Sequence, residues 1–184
     1  DRIAPEKNLN DLVRAIAIVR KQIPQVTLDL YGYPDATNHY AEKRKIEKTI
    51  QELSLEGVVT FKGYTENLES AYDTAQIFGL TSIMEGFDLS LLEAISHGVV
   101  GVTYDVNYGP NEIVQDGING YVTPYGDIHA LAEKIQLLLS DRDKMQQMST
   151  NAYESANRYS EENVWKKWHK VLMDAQKSEG KVTK

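Results

Sequence analysis

The sequence predicts an α/β domain: a Rossmann-like parallel sheet with helices on both faces. Three observations carry this reading. Segments with helical spacing alternate along the chain with short apolar runs. Those runs ("VTLDLYG", "VVTF", "QIFGLTS" and "VVGVTY") are apolar on successive residues, as strands covered on both faces are. Alternation of this kind implies right-handed βαβ units.

Taken in order, Leu9 to Ile23 carries apolar residues at 9, 12, 13, 16 and 19, with Asn8 or Asn10 as candidate cap. Val26 to Gly32 reads as a strand ending in a glycine turn. His39 to Leu53 reads as a charged helix whose "EKRK" (Glu42 to Lys45) is a solvated face. "VVTF" before Gly63 is the second strand, Leu68 to Ala75 a short helix, and Gln76 to Ser82 the third strand. A helix then runs to His97, closed by Gly98, and Val99 to Tyr104 is the fourth strand. A short helix follows Gly109-Pro110 towards Asp116-Gly117. Three more are expected over 127–140, 141–157 and 161–177. The domain is expected to span residues 1–178, with a frayed tail at 179–184. No strand is expected before Arg2, so residues preceding Asp1 are expected to be missing.

The 184 residues suffice for one domain with a real core. A net charge of −7 gives no basic footprint for nucleic acid, and no nucleic-acid partner is expected. The chain has no cysteine, which excludes disulfides and thiolate metal sites and suits a reducing compartment. No apolar run is long enough to span a bilayer. Neither a phosphate-binding Walker loop nor G-x-G-x-x-G occurs.

In open α/β sheets, ligands bind beyond the carboxyl ends of the strands. "EGFDLSLLE" (Glu85 to Glu93) occupies such a position, between the third strand and the next helix. Backbone N–H groups at that helix start suit a phosphate, and Gly86 would let backbone approach a ligand. Ser90-Leu91-Leu92-Glu93 also fits a capping box, in which Glu93 would close back on the cap. Glu85 could be a solvated loop acid. Both acids together, with the Gly-Phe step and the strand-to-helix setting, favour a site. Arg2 and Lys7 in "RIAPEKN" flank a helix start, which opposes the dipole unless an anion lies between them. Asp141-Arg142-Asp143 has a metal-site spacing but lies between two helices and reads as capping. Val164, Trp165, Trp168, Val171 and Leu172 form one stripe, either core or a surface for a missing domain.

These motifs, with "FKGYTENL" (Phe61 to Leu68) and "GPNEIVQDGINGYVTPYGD" (Gly109 to Asp127), resemble the retaining group 1 glycosyltransferases. The resemblance covers nearly the whole chain and implies the C-terminal, donor-nucleotide half of a two-domain GT-B fold. "YDVNYGP" (Tyr104 to Pro110) is most similar to bacterial enzymes that glucosylate the teichoic acid poly(glycerol phosphate). Relatives that transfer N-acetylglucosamine to serine-rich surface proteins are the alternative. By resemblance, Glu93 holds the ribose hydroxyls and Glu85 faces the donor sugar. Arg2 and Lys7 neutralise the diphosphate. Backbone at Gly86, Phe87 and Leu89 lies along phosphate and sugar, and Tyr64 contacts the base.

The implied substrate is a UDP-sugar, with no cofactor and no metal. The implied partners are the N-terminal domain of the same chain and a teichoic acid or glycoprotein acceptor. The implied location is cytoplasmic, peripheral at the inner membrane face for the longer protein. A non-catalytic subunit of the same fold and a sugar-nucleotide epimerase are the competing classes. Asp88 departs from the small residue common among relatives and must point away from a phosphate or cap the helix. Val100 stands in place of a proline, a change expected to affect packing only.

Overall fold

A computed structural model describes residues 2–36 and 39–179. Its seven strands are β1 (Arg2–Ile3), β2 (Leu28–Tyr31), β3 (Tyr33–Pro34), β4 (Val59–Gly63), β5 (Ile77–Leu80), β6 (Val100–Tyr104) and β7 (Gly120–Thr123). All pairings among them are parallel: β1 with β3, β2 with β4, and β5–β6–β7. The expected parallel sheet is thus present as three hydrogen-bonded groups. A two-residue strand lies at Arg2–Ile3, inside the segment read as a helix entry, because it pairs with Tyr33–Pro34.

Period-2 alternation explains why the β5–β6–β7 group is covered on both faces. Val100, Val102, Tyr104 and Tyr121 enter the larger core with α1 (Leu9–Val19) and α6 (Ile128–Ser140). Their neighbours Phe78, Leu80 and Val122 face the opposite cluster. That second cluster is built with α4 (Leu89–Ser96), α5 (Pro110–Ile113) and α7 (Arg142–Ala156). Val100 is fully buried in the larger core, as expected of a packing change.

The remaining helices are α2 (Ala41–Glu52), α3 (Glu69–Tyr72) and α8 (Glu161–Glu179). The "EKRK" face is not wholly solvated: Glu42 is buried and lies 3.4 Å from Lys45 Nζ. Asp141 caps α7 by accepting from the Lys144 N–H at 2.9 Å, the capping role its position suggests. The stripe on α8 is not core. Trp165 and Trp168 are 64% and 59% exposed, with Val171 and Leu172 exposed beside them. Residues 180–184 of the expected tail lie outside the described residues, while Glu179 ends α8.

Candidate active site

β2 and β4 pair in parallel, and the residues at their carboxyl ends meet those that follow β5. A cleft of about 400 Å³ forms there, lined by Tyr31 and Gly32 at the end of β2, Tyr64 and Thr65 after β4, and Glu85, Phe87, Asp88, Leu89, Ser90 and Glu93 after β5. Lys7 and Leu68 complete its wall.

The N-terminal wall is built by local conformation. Pro5–Lys7 forms a 3-10 turn, and Asn8 then adopts a left-handed backbone (φ 45°) before α1 starts. Asparagine tolerates this conformation better than most residues. The turn is stitched to the segment after β5. The Ile83 N–H donates to the Glu6 carbonyl at 2.8 Å. The Thr81 hydroxyl lies 3.2 and 3.0 Å from the carbonyls of Lys7 and Asn8.

These bonds bring Lys7 to Glu85, with Nζ 2.7 Å from Oε1 and both side chains largely buried. Arg2 does not join them. Its guanidinium lies 3.0 Å from Glu6 and 3.7 Å from Asp35, half exposed and outside the cleft's lining. The protein itself thus supplies the anions that the two cations at the helix start call for.

At the helix start the capping box does not form. Asp88 is the N-cap, and its Oδ1 accepts from the Leu91 N–H at 2.9 Å and the Ser90 hydroxyl at 2.6 Å. Ser90 is therefore inside the helix, and Glu93 has no cap to close on. Capping was one of the two roles the departure at Asp88 allowed. Its other oxygen, Oδ2, is buried with no hydrogen-bond partner in the protein.

Glu93, released from capping, is exposed in the cleft and accepts from the Tyr72 hydroxyl at 3.4 Å. Burial pushes the Tyr72 phenol well above the ordinary tyrosine value, and the charges of Glu93 and Asp88 push it further. At the far wall, Tyr64 is 61% exposed and meets Tyr33 edge-on, with centroids 5.6 Å apart. Phe87 meets Tyr159 in the same manner at 5.1 Å, which fixes the Gly-Phe step.

Gly86 itself has open space where a Cβ would sit. Its carbonyl is approached instead by Gly109, where an added Cβ would lie 1.6 Å from that oxygen at a backbone φ of +79°. Only glycine fits there. The preceding Tyr108 also has positive φ (72°).

The cleft walls hold three carboxylates (Glu85, Asp88, Glu93) and one ammonium (Lys7). Each acid has its own partner: Lys7 for Glu85, the Leu91 N–H and Ser90 hydroxyl for Asp88, and the Tyr72 hydroxyl for Glu93. Among the described residues, no group of three or more His, Cys, Asp or Glu side chains could hold a metal ion. A larger groove of about 720 Å³ lies between α1 and the start of α6, with Arg14, Lys21 and His129. It contains none of the paired acids and lies away from the strand ends that form the cleft. The cleft is the better candidate on chemistry.

Sequence reasoning located Lys7, Tyr64, Phe87, Leu89, Glu85 and Glu93 on this cleft and missed Tyr31, Gly32, Thr65 and Leu68, as well as Tyr72 behind Glu93. The first three of these lie at or after strand ends, a signal that was available. Tyr72 reaches Glu93 only through the packing of α3 on α4.

A parallel α/β domain with a polar cleft at its strand ends defines a ligand-binding α/β protein. The chain belongs to the group 1 glycosyl transferases, whose family pattern matches residues 1–155. It is 38% identical over 167 residues to the poly(glycerol-phosphate) alpha-glucosyltransferase of Bacillus subtilis, covering 91% of this chain and 24% of that protein. The Anabaena HepE structure in complex with UDP superposes with a TM-score of 0.87 at 25% identity, over 95% of this chain and 47% of the other. The pneumococcal O-GlcNAc transferase GtfA, in complex with UDP and GlcNAc, gives a TM-score of 0.82 at 28% identity, over 94% and 34%. The chain spans about a quarter to a third of the length of the curated relatives it matches. Its fold is that of one part of these GT-B glycosyltransferases. Among the described residues, no helix is long and apolar enough to cross a membrane.

Proposed function

We propose that this domain binds a UDP-sugar in the cleft and serves as the donor half of a hexosyltransferase that retains anomeric configuration. One observation carries the reading: Glu93 is free of the helix cap and is held by Tyr72 on the same cleft as the Lys7–Glu85 pair. A carboxylate accepts from two vicinal hydroxyls, so Glu93 takes the ribose and Glu85 the donor sugar. Lys7 shares its charge between Glu85 and the diphosphate. Tyr64 packs on the base, and backbone at Gly86, Phe87 and Leu89 follows phosphate and sugar. Arg2 must exchange Glu6 and Asp35 for phosphate. Arg2 and Glu6 are half exposed, and a pair of that kind contributes only about 0–1 kcal/mol, while Asp35 lies at a longer 3.7 Å, so the exchange costs little.

Transfer requires the leaving diphosphate to be stabilised where its charge develops. Lys7, Arg2 and the amides at the start of α4 do this without a metal. The acceptor hydroxyl comes across a cleft from an N-terminal domain of the same chain, in the cytoplasm. The acceptor is poly(glycerol phosphate) and the sugar is glucose, following the Bacillus subtilis relative. N-acetylglucosamine on a serine-rich protein is the second reading, favoured by the GlcNAc in the pneumococcal complex.

Titration calorimetry with UDP tests the site. Glu93→Ala is expected to cost about 2–4 kcal/mol, or roughly 30- to 1,000-fold in affinity. Unchanged affinity in a folded variant would overturn the reading. The 184-residue chain alone is expected to show at most slow hydrolysis of UDP-glucose, because catalysis also needs a positioned acceptor and excluded water. Robust transfer by this chain would refute the two-domain mechanism, and a β-linked product from the longer enzyme would refute retention.

A further inference from the structure

We infer that Tyr72 is the positioning residue for Glu93, a role that rests on the proposed nucleotide reading of the cleft. Its hydroxyl lies 3.4 Å from Glu93 Oε2 and 3.3 Å from the Ser90 carbonyl. A phenol has one proton to donate. The Ser90 carbonyl sits in the first turn of α4, where the helix supplies its own N–H donor four residues on. Glu93 is the charged acceptor, and bonds to charged acceptors are the stronger.

The ring is placed to do this. Tyr72 is 7% exposed and packs with Ala94 and Val99, with Leu68 and Phe78 alongside. The His97 ring lies 5.5 Å from it, and His97 Nδ1 is itself 3.0 Å from Asp73 Oδ1. Tyr72 thus has a fixed ring, whereas Glu93 is a flexible side chain in an open cleft. One carboxylate oxygen held by the phenol leaves the other free to accept from a vicinal diol in a single orientation. The raised phenol pKa keeps the group a donor across the neutral range, consistent with this role.

Two measurements on the 184-residue chain test it. The first needs no nucleotide: tyrosine Cζ-labelled NMR, with Tyr72 assigned by Tyr72→Phe. The Tyr72 phenol is expected to titrate at lower pH in Glu93→Gln than in the wild type, because a neighbouring negative charge has gone. Asp88 and His97 remain in place in both. No movement would overturn the contact.

The second is calorimetry of Tyr72→Phe, which keeps the ring and removes the hydroxyl. UDP and uridine are each expected to bind about 3- to 10-fold more weakly, with inorganic diphosphate unchanged. In a Glu93→Ala background the substitution is expected to change nothing further. Equal loss for all three ligands, or none for uridine, would overturn the positioning role. Failure of the wild type to bind UDP while the NMR contact persists would instead overturn the nucleotide reading on which that role rests.

Discussion

Lys7 Nζ lies 2.7 Å from Glu85 Oε1, with side chains 17% and 12% exposed, although 77 residues separate the two in sequence. Removing either partner of a pair this shielded forfeits a charge-assisted contact that water replaces only in part. Lys7→Ala and Glu85→Ala are each expected to destabilise the domain by about 1–3 kcal/mol. The double variant is expected to lose less than the sum of the two. Urea unfolding of the four proteins checks this, and strict additivity would mean the pair contributes nothing as a pair.

Arg2 gives a prediction of opposite character, because its own guanidinium is half exposed and its nearer partner Glu6 is too. Arg2→Ala is expected to leave stability within about 0.5 kcal/mol of the wild type. It is expected to weaken UDP far more than uridine, since only UDP presents a diphosphate. Affinity is expected to survive chelation of divalent metal. Equal losses for both ligands would remove Arg2 from the site, and strict metal dependence would return attention to Asp141 and Asp143.

Gly109→Ala is expected to destabilise by at least about 1–3 kcal/mol, the cost of a non-glycine residue forced into such a conformation. The clash with the Gly86 carbonyl adds to that, and its relief must shift the Gly-Phe step. UDP affinity is therefore expected to fall together with stability, both read from calorimetry and urea melts. A folded, fully binding Gly109→Ala would show that the two loops do not constrain one another.

Tyr104 sets an alkaline limit. Burial first, then Asp11, whose Oδ2 accepts the Tyr104 hydroxyl at 3.1 Å, raises this phenol's pKa in the folded state. The unfolded chain deprotonates near the ordinary value of about 10, so it binds fewer protons than the folded chain above that pH. Stability from Tyr104 is therefore intact below about pH 10 and lost progressively above it. Tyr72 behaves alike. Tyr104→Phe is expected to flatten the loss of stability between about pH 10 and 11, measured by urea unfolding.

Much of this molecule was legible in the sequence for identifiable reasons. The strands β5 and β6 and the helix α4 announce themselves by apolar density and by the glycine that closes the turn at Gly98. β7 was missed because "GYVT" lies within a glycine-rich stretch that reads as loop. β1 is two residues long, and only its partner at Tyr33 makes it a strand.

The site divides the same way. Glu85 and Glu93 were found because they flank a strand-to-helix junction. Asp88 and Ser90 both fit a cap, and the register of the first turn decided between them. The engagement of Arg2 by Asp35 depends on how the chain folds back after β3, which local spacing does not encode. The stripe on α8 has core periodicity, but periodicity records a face and not what covers it.

The contacts of the Ile83 N–H and the Thr81 hydroxyl with carbonyls of Glu6, Lys7 and Asn8 have a mechanical consequence. A displacement applied at Ala4 does not have to travel along the intervening sequence to be felt at Glu85. It crosses a short strut of backbone amide and hydroxyl contacts. Lys7 and Glu85 are therefore coupled twice over, through this strut and through their own ion pair.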